Sequence, residues 1–427
     1  MKKNLFVIFL ILTLCGAACQ KSSRTEKPTE QPDFQMTSTL NHLLMTSTLE
    51  DIEITTTPTM GSKTSTPSPT LTQTKPIIFS ATVTKQPSID DKIADIQLFL
   101  SDKASAEEFS GSVLIAYQGN TIFQHAYGFA DRNQEIPNQI DTKFNLGSID
   151  KMFTAIAILQ LVEKGELSLD EEIGKYLTDY PNADIANTIT IHQLLTHTSG
   201  LGNYFDSSEY LDRHDQLRTI DDYFLLFDDL PLMFPAGTQF AYSNSGYIVL
   251  GMIIEAVSGQ NYYDYLQEHI FKPNGMVATA CYEIDTNVPN LAIGYTTFDW
   301  DGNDIGVIND NFSILPVRGG SAGGGYSTVL DIFAFSKALL NHQLLNSEFT
   351  QLAMEGKIEI ADNVQYGYGF FNRTIQGYRI VGHSGGFPGI CSIFNIFTEL
   401  DYTVVILSNS DYDCVEVDDY IKTILLD

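Results

Sequence analysis

The chain has 427 residues, enough for a large core. Hydrophobic residues make up 43% and charged residues 18%, the balance of a globular enzyme-sized protein. The formal charge is -29, and residues 91–427 hold 16 basic against 46 acidic residues, so nucleic acid and an anionic membrane face are excluded as partners of the body.

Met1-Lys2-Lys3 followed by Leu5 to Leu14 is a charged start and a short apolar run, which reads as an export signal rather than a membrane span. Cys15-Gly16-Ala17-Ala18-Cys19 closes it. Small residues before Cys19 resemble a bacterial lipoprotein cleavage site, although a Leu is usual where Gly16 stands. The expectation over 1–19 is therefore a lipoprotein-like signal with Cys19 lipidated, tethering the chain to a membrane; ordinary cleavage after Ala18 and secretion is the alternative. Residues 20–88 are low in complexity, with 15 Ser, Thr or Pro among the 20 residues from Thr55 to Thr74. Such a tract buries too little apolar surface to order itself and reads as a disordered tether. Cys281, Cys391 and Cys414 have no short spacing; one disulfide among them is possible but unassigned.

The body is expected over 89–427. Ile89–Leu100 has helical spacing, and Gly111–Tyr117 with Thr121–Ala130 reads as a β-hairpin. Met152–Val162 is apolar on all sides, which places a helix in the middle of a domain. Further helices are expected at Ser245–Val257, Asn261–Ile270, Ser327–Leu340 and Val415–Leu426, and strands at Gln365–Asn372, Tyr378–His383, Ile390–Phe397 and Thr403–Ser408. Strands at both ends and helices between them predict an α+β fold. An antiparallel sheet of about five strands would be built from the N- and C-terminal parts, with a helical lobe inserted at roughly 145–315.

The chemistry centres on Gly147-Ser148-Ile149-Asp150-Lys151, at the start of the buried helix. Lys151 falls one turn after Ser148 on the same face. Two readings fit. Ser148 caps the helix and Lys151 is a first-turn residue; or hydroxyl, amine and free backbone amides are assembled for acyl transfer. Tyr242-Ser243-Asn244 and the strand-ending His383-Ser384-Gly385-Gly386 each fit a plain turn when taken alone. His192 and His197 do not share a helix face and read as structural. Asp299, Asp301, Asn303 and Asp310 echo a calcium loop, but Asp304 stands where glycine is required, so they read as a solvated hairpin turn.

Ser-x-x-Lys, then Tyr-x-Asn, then a strand bearing His-Ser-Gly is an ordered set. With Thr190–Leu201, Pro235-Ala236-Gly237 and Gly319–Thr328 around it, the body resembles the serine β-lactamase and penicillin-binding protein superfamily. The closest likeness is to the branch of class C β-lactamases, D-alanyl-D-alanine carboxypeptidases and related esterases. The resemblance implies a β-lactamase/transpeptidase-like fold and a serine hydrolase needing no cofactor or metal. In it Ser148 is the nucleophile, and Lys151 and Tyr242 act as a coupled pair moving its proton. Asn244 holds Lys151 and a substrate carbonyl, and the Ser148 and Gly386 amides form the oxyanion hole. Ser384 and Gly385 would line the substrate strand. His383 departs from the Lys most common in β-lactamases. The implied substrate is an ester, a D-amino-acid peptide of peptidoglycan type or a β-lactam. A penicillin-sensitive carboxypeptidase or a non-catalytic peptidoglycan-peptide-binding protein are the alternatives.

Overall fold

The computed structural model describes residues 87–411 and 413–427; residues 1–19, expected to be an export signal ending at Cys19, and all but the last two residues of the expected tether lie outside them. The first helix, α1 (Ile89–Ser105), starts where Ser88 and Asp91 form a capping box. Ser88 Oγ accepts from the Asp91 amide, and the Asp91 carboxylate accepts from the Ser88 amide at 3.0 Å.

The main sheet has eight antiparallel strands, numbered in chain order: β1 (Gly111–Tyr117), β2 (Asn120–Tyr127), β3 (Ile358–Ala361), β4 (Val364–Tyr366), β5 (Phe371–Ile375), β6 (Tyr378–Phe387), β7 (Ile390–Phe397) and β8 (Tyr402–Ser408). Their spatial order is β2-β1-β8-β7-β6-β5-β4-β3. The N-terminal hairpin thus joins the C-terminal strands through β1 and β8, in register from Gly111 opposite Ser408 to Tyr117 opposite Tyr402. The sheet is longer than about five strands because the run Gln365–Asn372 is not one strand. Gly367-Tyr368-Gly369 breaks it into β4 and β5, with Gly369 at a φ of +78° that a side chain would strain, and β3 pairs onto the outside of β4.

Both faces of the central strands are covered, so their apolar residues run continuously rather than alternate with polar ones. Val113 and Ile115 of β1 and Val404 and Ile406 of β8 pack with α1 and with α5 (Asp413–Leu426). Leu114, Ala116, Val405 and Leu407, one residue out of step, pack into the opposite cluster with the helices of the chain's middle. Cys391 of β7 and Cys414 of α5 form a disulfide, Cα atoms 5.7 Å apart, which ties the last helix to the sheet. Cys281 is the free thiol among the described residues.

The middle of the chain supplies α2 (Asp150–Glu163), α3 (Asn244–Ser258), α4 (Val329–Leu340) and several shorter helices. Every residue of α2 from Asp150 to Leu161 is buried, as an all-apolar helix demands. Tyr295–Phe298 and Asp304–Asp310 form a two-stranded ribbon whose turn, at Asp299–Asn303, is held by the Asp299 side chain accepting from Asn303.

Candidate active site

Ser148 sits in a single 3-10 turn, Gly147–Ile149, that runs straight into α2. Two close approaches place that turn against β6. Gly147 has a φ of +51°, and a Cβ there would lie 3.0 Å from Gly385 Cα and from the Gly386 amide nitrogen. A Cβ on Gly385 would lie 2.0 Å from the Leu146 carbonyl oxygen. Both positions therefore need glycine, and the result is that the Ser148 turn lies on the strand carrying Gly386. The Gly147 amide donates to Asn145 Oδ1 at 2.9 Å, and Ser392 Oγ donates to the Leu146 carbonyl at 2.6 Å, which fixes the turn from both sides.

Lys151 projects from the first turn of α2 into the same space and is fully buried. Its Nζ is 3.1 Å from Ser148 Oγ, 2.6 Å from Asn244 Oδ1 and 2.5 Å from the Ala322 carbonyl oxygen. Burial pushes its pKa well below the ordinary 10.5, with the Asp150 carboxylate opposing. Nζ donates to all three groups, of which Asn244 Oδ1 and the Ala322 carbonyl can only accept, and its depressed pKa favours loss of a proton on the side of the Ser148 hydroxyl.

Tyr242 stands at the foot of α3, one residue before its N-cap Ser243, whose Oγ accepts from the Gly246 amide at 2.9 Å. The Tyr242 hydroxyl faces Ser148, whose side chain opposes the upward pull of burial on the phenol's pKa, and Lys151 Nζ lies 4.7 Å from the centre of its ring. Burial raises the phenol's pKa well above 10, so the hydroxyl keeps its proton. Asn244 is oriented by Asn203, whose Oδ1 accepts from Asn244 Nδ2 at 2.8 Å.

His383, on β6, is buried with both ring nitrogens committed inside the protein. Nδ1 is 2.6 Å from the Ser384 carbonyl oxygen and Nε2 is 3.3 Å from the Tyr366 hydroxyl. Burial and the nearby Lys151 hold its pKa well below 6.5, so the ring is neutral. Ser384 Oγ is buried and has no partner among the described residues. Ser148, Tyr242, Asn244, His383, Ser384 and Gly386 all line one open cleft of about 1070 Å³, solvent at its mouth included. Gly385 lies behind it, under Leu146.

Residues that the sequence did not single out complete the arrangement. The Ala322 carbonyl lies in Gly319–Gly325, whose glycines were the available signal: Gly323 needs a φ of +152° and approaches Gly147. Asn203 carried no signal at all. His192 and His197 do not meet: His192 Nδ1 bonds the Tyr368 hydroxyl, whereas His197 is wholly buried under the Tyr242 ring, 4.2 Å between centres. His197 Nδ1 accepts from the Ser243 amide at 3.1 Å, so it supports the turn between Tyr242 and Asn244. Asp150, beside Lys151, is buried, accepts from the Gly325 amide, and has its pKa pushed up by burial to about 7.

Known proteins match this architecture and most of this chain. The penicillin-binding protein PbpX of Bacillus subtilis (strain 168) is 31% identical over 299 residues, covering 70% of either protein. Among solved structures, a penicillin binding protein from Bacillus halodurans superposes with a TM-score of 0.70 at 34% identity, over 77% of this chain and 98% of that one. A D-amino acid amidase from Ochrobactrum anthropi SV3, complexed with D-phenylalanine, gives a TM-score of 0.70 at 25% identity, over 79% of this chain and 99% of that one. The model of the Beta-lactamase family matches residues 99–426, which spans the sheet, the helices and the cleft. The chain is a serine hydrolase of the penicillin-binding protein and β-lactamase fold, and it belongs to the Beta-lactamase family.

Proposed function

We propose that this hydrolase acts through an acyl-enzyme on Ser148, with Lys151 as the proton acceptor. The observation that carries the proposal is the fully buried Lys151 amine, its pKa depressed by burial and its Nζ held 3.1 Å from Ser148 Oγ by Asn244 Oδ1 and the Ala322 carbonyl. The hydroxyl proton moves to Nζ as Oγ attacks the substrate carbonyl carbon. The carbonyl oxygen becomes an anion, which the Ser148 and Gly386 amides receive as the family resemblance implies; one such donor is typically worth about 2.7–4 kcal/mol of barrier. Collapse expels the leaving group, which takes its proton from Lys151 through the Tyr242 hydroxyl. Water then adds to the acyl carbon, giving up its proton by the same route, and Ser148 leaves as the hydroxyl. Lys151 and Tyr242 titrate as a pair. Asn244 orients Nζ and binds a substrate carbonyl.

The substrates are esters, amides of D-amino-acid peptides or β-lactams. Support for the amide comes from the likeness to the D-amino acid amidase, and for a penicillin-reactive serine from the penicillin-binding protein relatives. The chain works outside the cytoplasm, on the strength of the sequence of residues 1–19, held by lipidated Cys19 and the tether over 20–88. Among the described residues no helix is long and apolar enough to cross a membrane.

A fluorophosphonate and a fluorescent penicillin test the mechanism. Labelling of the wild type and not of Ser148→Ala is expected; no labelling by either probe together with no turnover of any ester or D-peptide would leave a peptide-binding protein instead. Membrane fractionation of Cys19→Ala tests the anchor: the variant should move to the soluble fraction, and an unchanged distribution rejects lipidation at that position.

A further inference from the structure

The cleft above Ser148 has an aromatic wall. Trp300 lies in the turn of the ribbon Tyr295–Phe298/Asp304–Asp310 and stacks on Tyr210, ring centres 4.9 Å apart and planes 9° from parallel. Tyr210 is itself fully buried and donates to the Ile314 carbonyl, so the indole rests on a fixed platform. Phe205 packs 4.9 Å from Tyr210, 5.5 Å from Phe387 and 6.4 Å from Trp300. Phe387 directly follows Gly386 on β6. Phe205, Phe298, Trp300 and Phe387 line the same cleft as Ser148 and Tyr242.

Among the described residues no Lys or Arg lines the cleft wall, Lys151 lying beneath Ser148, and the one charged group on that wall is the carboxylate of Asp299. His383 stands where a Lys is most common in β-lactamases, but both its nitrogens are engaged by Ser384 and Tyr366 and its ring is neutral. Ser384 Oγ, buried and without a partner among the described residues, is left to donate one hydrogen bond. That suffices for a neutral carbonyl. It does not offset the desolvation of a carboxylate, whose burial without a paired cation is costly.

Resting on the acyl-enzyme reading above, we infer that this site takes an ester or amide bearing an aromatic or branched apolar group near the scissile bond and no ionised carboxylate. The ring enters against Phe205, Trp300 and Phe387, and Ser384 Oγ holds a neutral carbonyl of the substrate. The Asp299 charge repels an anion at the entrance. Free-acid peptides and carboxylate-bearing β-lactams are then poor substrates even where they acylate Ser148 slowly.

Three methyl esters test the inference on the whole protein: propanoate, 3-phenylpropanoate, and 3-(4-carboxyphenyl)propanoate. The phenyl ester should exceed propanoate in kcat/KM by about tenfold or more, and the carboxylate should forfeit about that factor again. Trp300→Ala should shrink the phenyl advantage to within about threefold, while Trp300→Phe keeps most of it. Equal rates for the three esters, a preference for the carboxylate, or a phenyl advantage untouched by Trp300→Ala in a variant with wild-type circular dichroism would each overturn the inference. Fluorophosphonate labelling of Ser148 in the wild type separates the two levels. With Ser148 labelled, a missing preference rejects the aromatic subsite alone; with Ser148 unlabelled, the acyl-enzyme reading fails and the subsite falls with it.

Discussion

The floor of the cleft and its wall are built by different means. On the floor, Ser148 and Lys151 belong to one turn and one helix, and Asn244 begins another helix. All lie within a network in which Nζ has three partners at 3.1 Å or less. The wall is assembled from segments far apart in sequence: Phe205 from a short 3-10 turn, Trp300 from a ribbon turn, Phe387 from the end of β6. The floor is polar and fixed by regular elements; the wall is apolar and set by loops. The difference teaches that regular elements place the groups proposed to react, while the groups proposed to choose the substrate come mostly from loops.

The largest expected effect breaks the floor. Ser148→Ala should lower kcat by roughly 10⁴-fold or more on any substrate, measured in steady state. Lys151→Met should cost nearly as much, and the double variant scarcely more than either, because the two act on one proton. A simple sum of the two losses would contradict that coupling.

Next is Asn244→Ala, which removes an acceptor from Nζ; a loss of about 10²-fold in kcat is expected, without a comparable rise in KM on small substrates. The pH profile sharpens the same point. Lys151 must be neutral to accept a proton, so kcat/KM should rise with pH through its depressed pKa and reach its plateau well below the ordinary 10.5. Asp150 favours the charged amine, so Asp150→Asn should move that acidic limb to lower pH. A limb left in place would mean that Asp150 does not feel Lys151. Asp150 also gives a stability test. Its carboxyl is raised in the folded protein to about 7, so the native state holds the extra proton and loses stability as pH climbs from about 4 towards 7. Asp150→Asn should therefore raise Tm more at pH 8 than at pH 4.

The smallest effect on activity is expected far from both floor and wall. Replacing Cys391 and Cys414 with Ser opens a crosslink between residues 23 apart in sequence, worth about 3 kcal/mol of stability by loop entropy. Tm should fall while kcat/KM at 25 °C stays within about twofold, since the bond lies on the face of the sheet covered by α1 and α5. A large loss of activity would show that this face reports to the cleft.

Local pattern made part of this legible. The all-apolar run Met152–Val162 gave away a buried helix, and the three-residue spacing put Ser148 and Lys151 on one side of it, because helix periodicity is a property of neighbours. The strand runs near the C-terminus are readable for the same reason; Gln365–Asn372 breaks at a glycine pair whose backbone angles a propensity argument does not supply, and Tyr378–His383 runs on to Phe387 instead of turning after His383. Tyr242, Asn244 and His383 rank as chemistry only as an ordered set, since each alone reads in the sequence as an ordinary turn residue. Cysteine spacing left the disulfide open.

What the tertiary structure decided is whatever depends on residues distant in the chain meeting. It delivered the Ala322 carbonyl to Lys151, 171 residues away, and Asn203 to Asn244. It turned both nitrogens of His383 inward, and it stacked Trp300 on Tyr210 in the wall of the cleft that holds Ser148. The sequence by itself determined the pairing of Ser148 with Lys151 and the helix that follows, because that interaction is local. The proton count on Lys151 and the character of the substrate wall needed the fold, because burial and partner geometry are properties of the packed chain and of no segment within it.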